Sequence, residues 1–278
     1  MSLVHILPRI AVEKPWGRAD LPAPFPSPAQ GKTGEIWFDP PPSLRELLVK
    51  YIFTSENLSV QVHPSDAQTL AKGLGAQGKE ECWLVIEAQP AAKLGIGLRE
   101  ATDSQTLRGA ALDGSIEAMM AWHPVRPGDF FYIPAGTIHA IGAGVTVLEI
   151  QQNSDITYRL YDYGRPRPLH LDEGMAVALP ETYDKARMHK MLPEGGPARL
   201  VDGPLFRLDL CEGPVPPAIL ADYGQRPKLV IPLNAPLHAD DAIAAPGDCA
   251  LVSDLSALSI SPHTRFLIAQ PILSGDVL

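Results

Sequence analysis

Gln61, His63, Glu81 and His139 have the types and spacing of a metal shell. Gln61 and His63 stand two apart in the apolar run LSVQVH, so on a strand both side chains leave the same face. Glu81 opens ECWLVIEA, a β-rich run in which Glu81, Trp83, Val85 and Glu87 share one face. His139 ends GDFFYIPAGTIH: Gly128 opens a strand, Pro134 ends its ladder, and Gly136 allows the tight turn that returns the chain with His139 pointing inward. Two imidazoles, one carboxylate and one amide oxygen on neighbouring strands make a mixed nitrogen and oxygen shell with room for water. Such a shell suits zinc or another divalent first-row metal, and a bound ion would act as a Lewis acid.

These residues need strands to hold them, and the pattern predicts strands around 34–39, 47–54, 57–63, 81–88, 128–133 and 145–151. Between Arg99 and Trp122 the period changes to helical, with Leu107, Ala111, Ile116, Met119 and Met120 in register and a break at Asp113-Gly114. Two short helices inserted between strands are expected near 100–122, and DEGMAVA near 172–178 reads as another. The proline-rich LPAPFPSPAQGK reads as a surface wrap. After the EGGP turn at 194–197 a second β-rich block follows, and its APGD echoes RPGD at 126–129. Ser253 stands where the first block has Pro134, and no histidine follows it at the ligand position. The expected organisation is therefore a metal-bearing unit over 1–195 and a second β unit over 196–278 without metal ligands.

The chain has 278 residues, 45% of them hydrophobic, enough for a large core, and its 29 prolines favour many short strands over long helices. A formal charge of −9 with no Lys/Arg run speaks against nucleic acid and acidic membranes as partners. Lys79, Arg159, Arg165 and Arg167 remain as cations that could converge on a small anion against that global field. No membrane span or signal peptide is legible, so a cytoplasmic protein is expected. Cys82, Cys211 and Cys249 lack metal or disulfide spacing and read as small core residues. His5, His123, His170, His189, His238 and His263 show no partner pattern. The oligomeric state is not written in these features.

The chain resembles the type I mannose-6-phosphate isomerases of the cupin superfamily, in their short bacterial form. The resemblance is carried by EKPWG at 13–17, GEIW at 34–37, LSVQVHP at 58–64, GKEECW at 78–83, GDFFYIPAGTIHAIGAG from Gly128 and LEIQQNSDITYRLYDYGRP from Leu148. It implies a mainly all-β fold of cupin jelly-roll barrels, with the metal-bearing barrel first and a degenerate one second. It also implies one zinc per chain on Gln61, His63, Glu81 and His139, substrate binding by Ser59 and Lys79, and chemistry served by Glu149 and Arg159. The implied reaction interconverts mannose 6-phosphate and fructose 6-phosphate by moving a proton through an enediolate. On this reading Lys79, with Ser59, anchors the phosphate away from the reacting carbons, Glu149 carries the proton and Arg159 neutralises the oxyanion. Two departures stand out: Glu80 where the family has Thr in GKTE, and Ile156 for the first Thr of SDTTYR. Alternation turns Glu80 away from Glu81, which leaves the ligand set intact. A metal-dependent cupin oxygenase is the rival enzyme, and Gln61 with the Lys79 and Arg159 cations argues against it. A non-catalytic sugar-binding cupin is the other rival, and the complete N-terminal ligand set argues against that.

Overall fold

The computed structural model describes residues 3–189, 191–239 and 242–273, with the side chain of His189 left out. Its architecture is that of stacked antiparallel sheets, as alternation and proline content predict. A seven-stranded sheet runs in the order Met188–His189, Phe130–Ile133, Glu81–Ala88, Val145–Gln152, Leu47–Phe53, Thr33–Phe38, Arg9–Arg18. Facing it is a five-stranded sheet of Tyr158–Tyr161, Val60–Val62, His139–Ile141, Lys93–Leu98 and Met120–Pro124.

All eight residues of Val145–Gln152 are buried, because both faces of its sheet are covered. Leu148 and Ile150 join Cys82, Leu84 and Phe130 against Leu208, Leu210, Leu229 and Leu267 of the C-terminal block. Val147, on the other face, joins Trp83, Val85 and Ile133 against Leu94, Ile96 and Ile141 of the five-stranded sheet. Each such side chain contributes about 1.5–3 kcal/mol when fully buried, so a one-residue slip of this strand would exchange both cores at once.

The helical insertion forms Ser104–Asp113 and Ile116–Met119, broken at Asp113-Gly114 as the sequence predicts. Asp103 starts the first helix by accepting from the Thr106 backbone N–H at 2.8 Å. Leu107, Ala110, Ala111 and Ile116 cover the outer face of the five-stranded sheet, against Val60, Val62, Ile138, Ala140 and Leu160. A further short helix, Leu171–Met175, matches the expectation near 172–178.

The C-terminal block forms a six-stranded sheet, Val4–Ile6, Ala250–Val252, Lys228–Pro232, Arg265–Pro271, Phe206–Glu212, Ala198–Asp202, with a two-stranded ribbon of Leu237–Ala239 and Ala242–Ala244. Its edge strand comes from the start of the chain: Val4 pairs with Val252 and Ile6 with Ala250. The first strand of the chain thus lies in the same sheet as the C-terminal strands. The proline-rich arm is a wrap, as expected, pinned by Leu21 and by Phe25, whose ring lies 4.6 Å from Tyr51 and 5.1 Å from Phe53. Among the described residues no helix is long and apolar enough to cross a membrane.

Candidate metal centre

The space between the two N-terminal sheets collects the residues singled out above. In Val60–Val62 the two valines face the helices, so Gln61 faces inward. His139 pairs with Gln61 on one side and with Ile96 on the other, while Arg159 pairs with Gln61 from the opposite edge. Glu149 lies between Trp83 and Lys50, and Gln151 opposite Glu81. Gly136 makes the turn before His139: its φ of 82° is costly for any other residue, and its N–H donates to the His63 carbonyl at 2.9 Å, tying the two histidine segments together.

His63, Glu81 and His139 are each 1% exposed, and their ligand atoms all lie within 4.8 Å of one another. His63 Nε2 is 3.5 Å from Glu81 Oε2, and His139 Nε2 is 3.3 Å from Glu81 Oε1. His63 Nδ1 meets the Ile156 carbonyl and His139 Nδ1 the Thr137 carbonyl, both at 2.8 Å. A carbonyl only accepts, so each Nδ1 carries the proton and each Nε2 lone pair faces Glu81. Burial, reinforced by the Lys79 ammonium, pushes the His63 imidazole well below its ordinary value; burial also lowers His139, against the pull of Glu81. Both are thereby kept in the neutral form that binds metal.

Both oxygens of Glu81 lack a hydrogen-bond donor although the residue is buried. Lys79 Nζ lies 2.8 Å from Oε2, off the direction of a hydrogen bond, so that contact is an ion pair. A buried carboxylate facing two imidazole lone pairs is costly unless a cation completes it. The separations of 3.3 and 3.5 Å match the edge of a tetrahedron with bonds of about 2.0–2.1 Å. The cluster therefore fits a divalent metal ion. Gln61 Nε2 lies 3.2 Å from His139 Nε2, and Gln61 Oε1 accepts from the Ser59 hydroxyl at 3.2 Å. A half-turn of the amide exchanges these atoms, bringing Oε1 to the cluster while Nε2 donates to Ser59.

A cavity of about 280 Å³ opens above the cluster, with Ser59, Gln61, Lys79 and Glu149 in its wall. Its cations Lys14, Lys50, Lys79, Arg159 and Arg167 outnumber Glu35, Glu149 and Asp155, against the sign of the whole chain. Lys50 Nζ pairs with Glu149 Oε1 at 2.8 Å, and Trp83 Nε1 donates to Glu149 Oε2 at 2.8 Å. Burial alone would raise the Glu149 carboxyl, but Lys50 and Lys79 outweigh it and hold it below its ordinary value. The Arg159 guanidinium lines the wall without a hydrogen bond or ion pair among the described residues. A larger open groove of about 1170 Å³ lies between the helical insertion and residues 182–185, and the convergent donors are not among its lining residues.

Ser59, Gln61, His63, Lys79, Glu81, His139, Glu149 and Arg159 are thus brought together at one place. Lys79 lies beside the cluster, its Nζ 3.1 Å from His63 Nε2, and also lines the cavity. Arg165 and Arg167 both bind Asp162, at 2.9 and 2.6 Å. Glu80 turns away, as alternation predicts, and its carboxylate accepts from the Tyr132 hydroxyl. Among the remaining histidines, His170 lines the cavity and its Nδ1 accepts from the Arg159 backbone N–H at 3.2 Å. The side chain of His189 lies outside the described residues. Lys50 went unrecognised, although a lone lysine inside the apolar run LLVKYIF is itself a signal of a buried counter-charge. Lys14, Trp16 and Glu35 belong to the EKPWG and GEIW motifs, which carried no assigned role.

The sheets and the buried His–Glu cluster define a mainly β, cupin-type fold with a candidate metal site. Its fold is that of the crystallised mannose 6-phosphate isomerase from Bacillus subtilis, with a TM-score of 0.77 over 97% of this chain and 100% of that one, at 22% identity. In sequence, the chain is 44% identical to the mannose-6-phosphate isomerase ManA of Bacillus subtilis (strain 168), over 47% of this chain and 43% of that protein. It is 42% identical to the mannose-6-phosphate isomerase of Streptococcus mutans serotype c, over 51% of this chain and 46% of that protein. The matches span about half the length of these relatives. No protein-family model matches the chain.

Proposed function

We propose that this protein is a metal-dependent aldose–ketose isomerase that interconverts mannose 6-phosphate and fructose 6-phosphate. The observation that carries the reading is the buried His63–Glu81–His139 cluster with Lys79 at its side, beneath a cation-lined cavity in a chain of net charge −9. The names of the relatives supply the substrate. Gln61, His63, Glu81 and His139 would hold the ion, with zinc as the metal favoured by two imidazoles and one carboxylate. When bound, it supplies Lewis-acid polarisation of the sugar oxygens.

The remaining roles fall to the chain. Ser59 and Lys79 bind the reacting end of the sugar, and the phosphate is held by the cations of the outer wall. Glu149, fixed by Trp83 and Lys50, moves the proton between the two carbons. Arg159, whose guanidinium is free to turn to substrate, neutralises charge developing on oxygen. The same reading places the protein in the cytoplasm.

A coupled assay with and without zinc tests it, alongside metal analysis of the wild type and His139→Ala. Turnover of mannose 6-phosphate should require metal and far exceed that of free mannose, and His139→Ala should lose both metal and activity. Equal kcat/KM for the two sugars, or full metal content in the variant, would defeat the assignment.

A further inference from the structure

Lys79 enters the site on a connection just ahead of the sheet: Glu81 is the first residue of its strand, paired with Gln151 and Ile133, and Lys79 precedes it. Polar side chains, two backbone bonds and close packing fix the residues before the strand. Asp66 Oδ1 accepts from the Gly78 backbone N–H at 2.7 Å and from Gln152 Nε2 at 2.8 Å. Gln152 then holds Glu80 twice, its Oε1 accepting from the Glu80 N–H at 2.9 Å and its own N–H donating to the Glu80 carbonyl at 3.0 Å. The Lys79 N–H between them donates to the Pro64 carbonyl at 2.9 Å. Gly78 fits flush, since a Cβ there would stand 2.3 Å from the Pro64 oxygen.

Asp66 is itself anchored, as the first residue of helix Asp66–Ala71, by the Ser65–Gln68 capping box. Gln152 is 3% exposed and ends the strand that carries Glu149. Hydrogen bonds accepted by a carboxylate are roughly twice as strong as neutral ones. Backbone on both sides of Lys79 is therefore held by one carboxylate and one side-chain amide in addition to two backbone bonds, and neither side chain belongs to the cluster.

We infer that Asp66 and Gln152 are positioning residues that place Lys79 and Glu81 together, so that metal affinity and turnover depend on one clamp. This rests on the isomerase reading only for its kinetic half. Loss of the clamp should let Lys79 Nζ and the Glu81 carboxylate shift together relative to His63 and His139. Partners that orient metal ligands typically matter by about 10–100-fold in affinity, and a displacement of about 1 Å at a reacting centre by about 10²-fold in rate.

The test measures zinc affinity by competition with a chromogenic chelator, and kcat and KM at saturating zinc, for Asp66→Ala, Asp66→Asn and Gln152→Met. Asp66→Ala and Gln152→Met should weaken zinc by about 10–100-fold and lower kcat more than they raise KM. Asp66→Asn keeps the accepting oxygen and should recover most of both. Gln152→Met preserves volume and supplies the reading if Asp66→Ala does not fold. Wild-type zinc affinity in a folded clamp variant, with only thermal stability reduced, would overturn the inference. If zinc affinity falls as expected but the wild type does not isomerise the sugar phosphate, the clamp stands and the isomerase reading is what fails.

Discussion

Arg159 illustrates how little a single residue reveals of its role until its neighbours are known. Its strand partner is Gln61, its wall of the cavity holds Arg167 and His170, and its guanidinium has no hydrogen bond or ion pair among the described residues. Burial and then Arg167 lower its pKa, yet a guanidinium stays charged in any protein environment. A charged, planar donor without a partner among the described residues, beside the candidate metal site, is what the proposed stabilisation of an oxyanion in the transition state would need. Arg159→Lys keeps the charge and loses the paired donors, so kcat is expected to fall by about 10²–10³-fold with zinc content and Tm close to wild type. Steady-state kinetics alongside metal analysis check this; normal turnover, or loss of zinc, would remove Arg159 from the chemistry.

A turn, as well as the strands, carries the geometry of the ligands. His139 opens a strand of only three residues, His139–Ile141, and its aim depends on the turn that contains Gly136. A left-handed φ of 82° disfavours alanine there, and a Cβ would stand 2.9 Å from Leu179 Cγ and 3.1 Å from the Val177 carbonyl. Because the same residue donates to the His63 carbonyl, Gly136→Ala is expected to cost about 2 kcal/mol in stability and to weaken zinc binding as well. Urea denaturation and zinc titration of the variant read the two effects, and retention of both stability and affinity would mean that the turn does not position the histidines. At this scale the sequence was legible where a residue type is required by backbone geometry. Gly136 and the Asp113-Gly114 break between helices are examples. It was silent where a bond joins distant segments, as in the grip of Asp66 on Gly78 and Gln152.

Across the whole molecule, the cluster joins two sheets, and its burial links site protonation to folding. His63 and His139 both lie below their ordinary value of 6.5 in the folded chain, chiefly through burial. As pH falls, the unfolded chain takes up protons before the folded one. The stability that the neutral imidazoles contribute is therefore complete above about pH 6.5 and drains away as pH falls below it. The metal-free protein should lose Tm between about pH 7 and pH 5, and His63→Gln should show a shallower loss; calorimetry over that range decides, and identical slopes would contradict the linkage. The sequence by itself determined which residues face inward, because the two-residue period of a strand is a local property: Gln61 with His63, Glu81 with Trp83, and Glu80 turned away all follow from it. It also carried the break in the helical insertion and the absence of a matching histidine in the second block. Only the tertiary structure decided which strands become neighbours, because pairing joins residues far apart along the chain. Lys50 became the partner of Glu149 across adjacent strands, Lys79 came to pair with Glu81, and the first strand of the chain completed the edge of the last sheet. Those choices come from hydrogen-bond register and the burial of both sheet faces, which no local window of sequence contains.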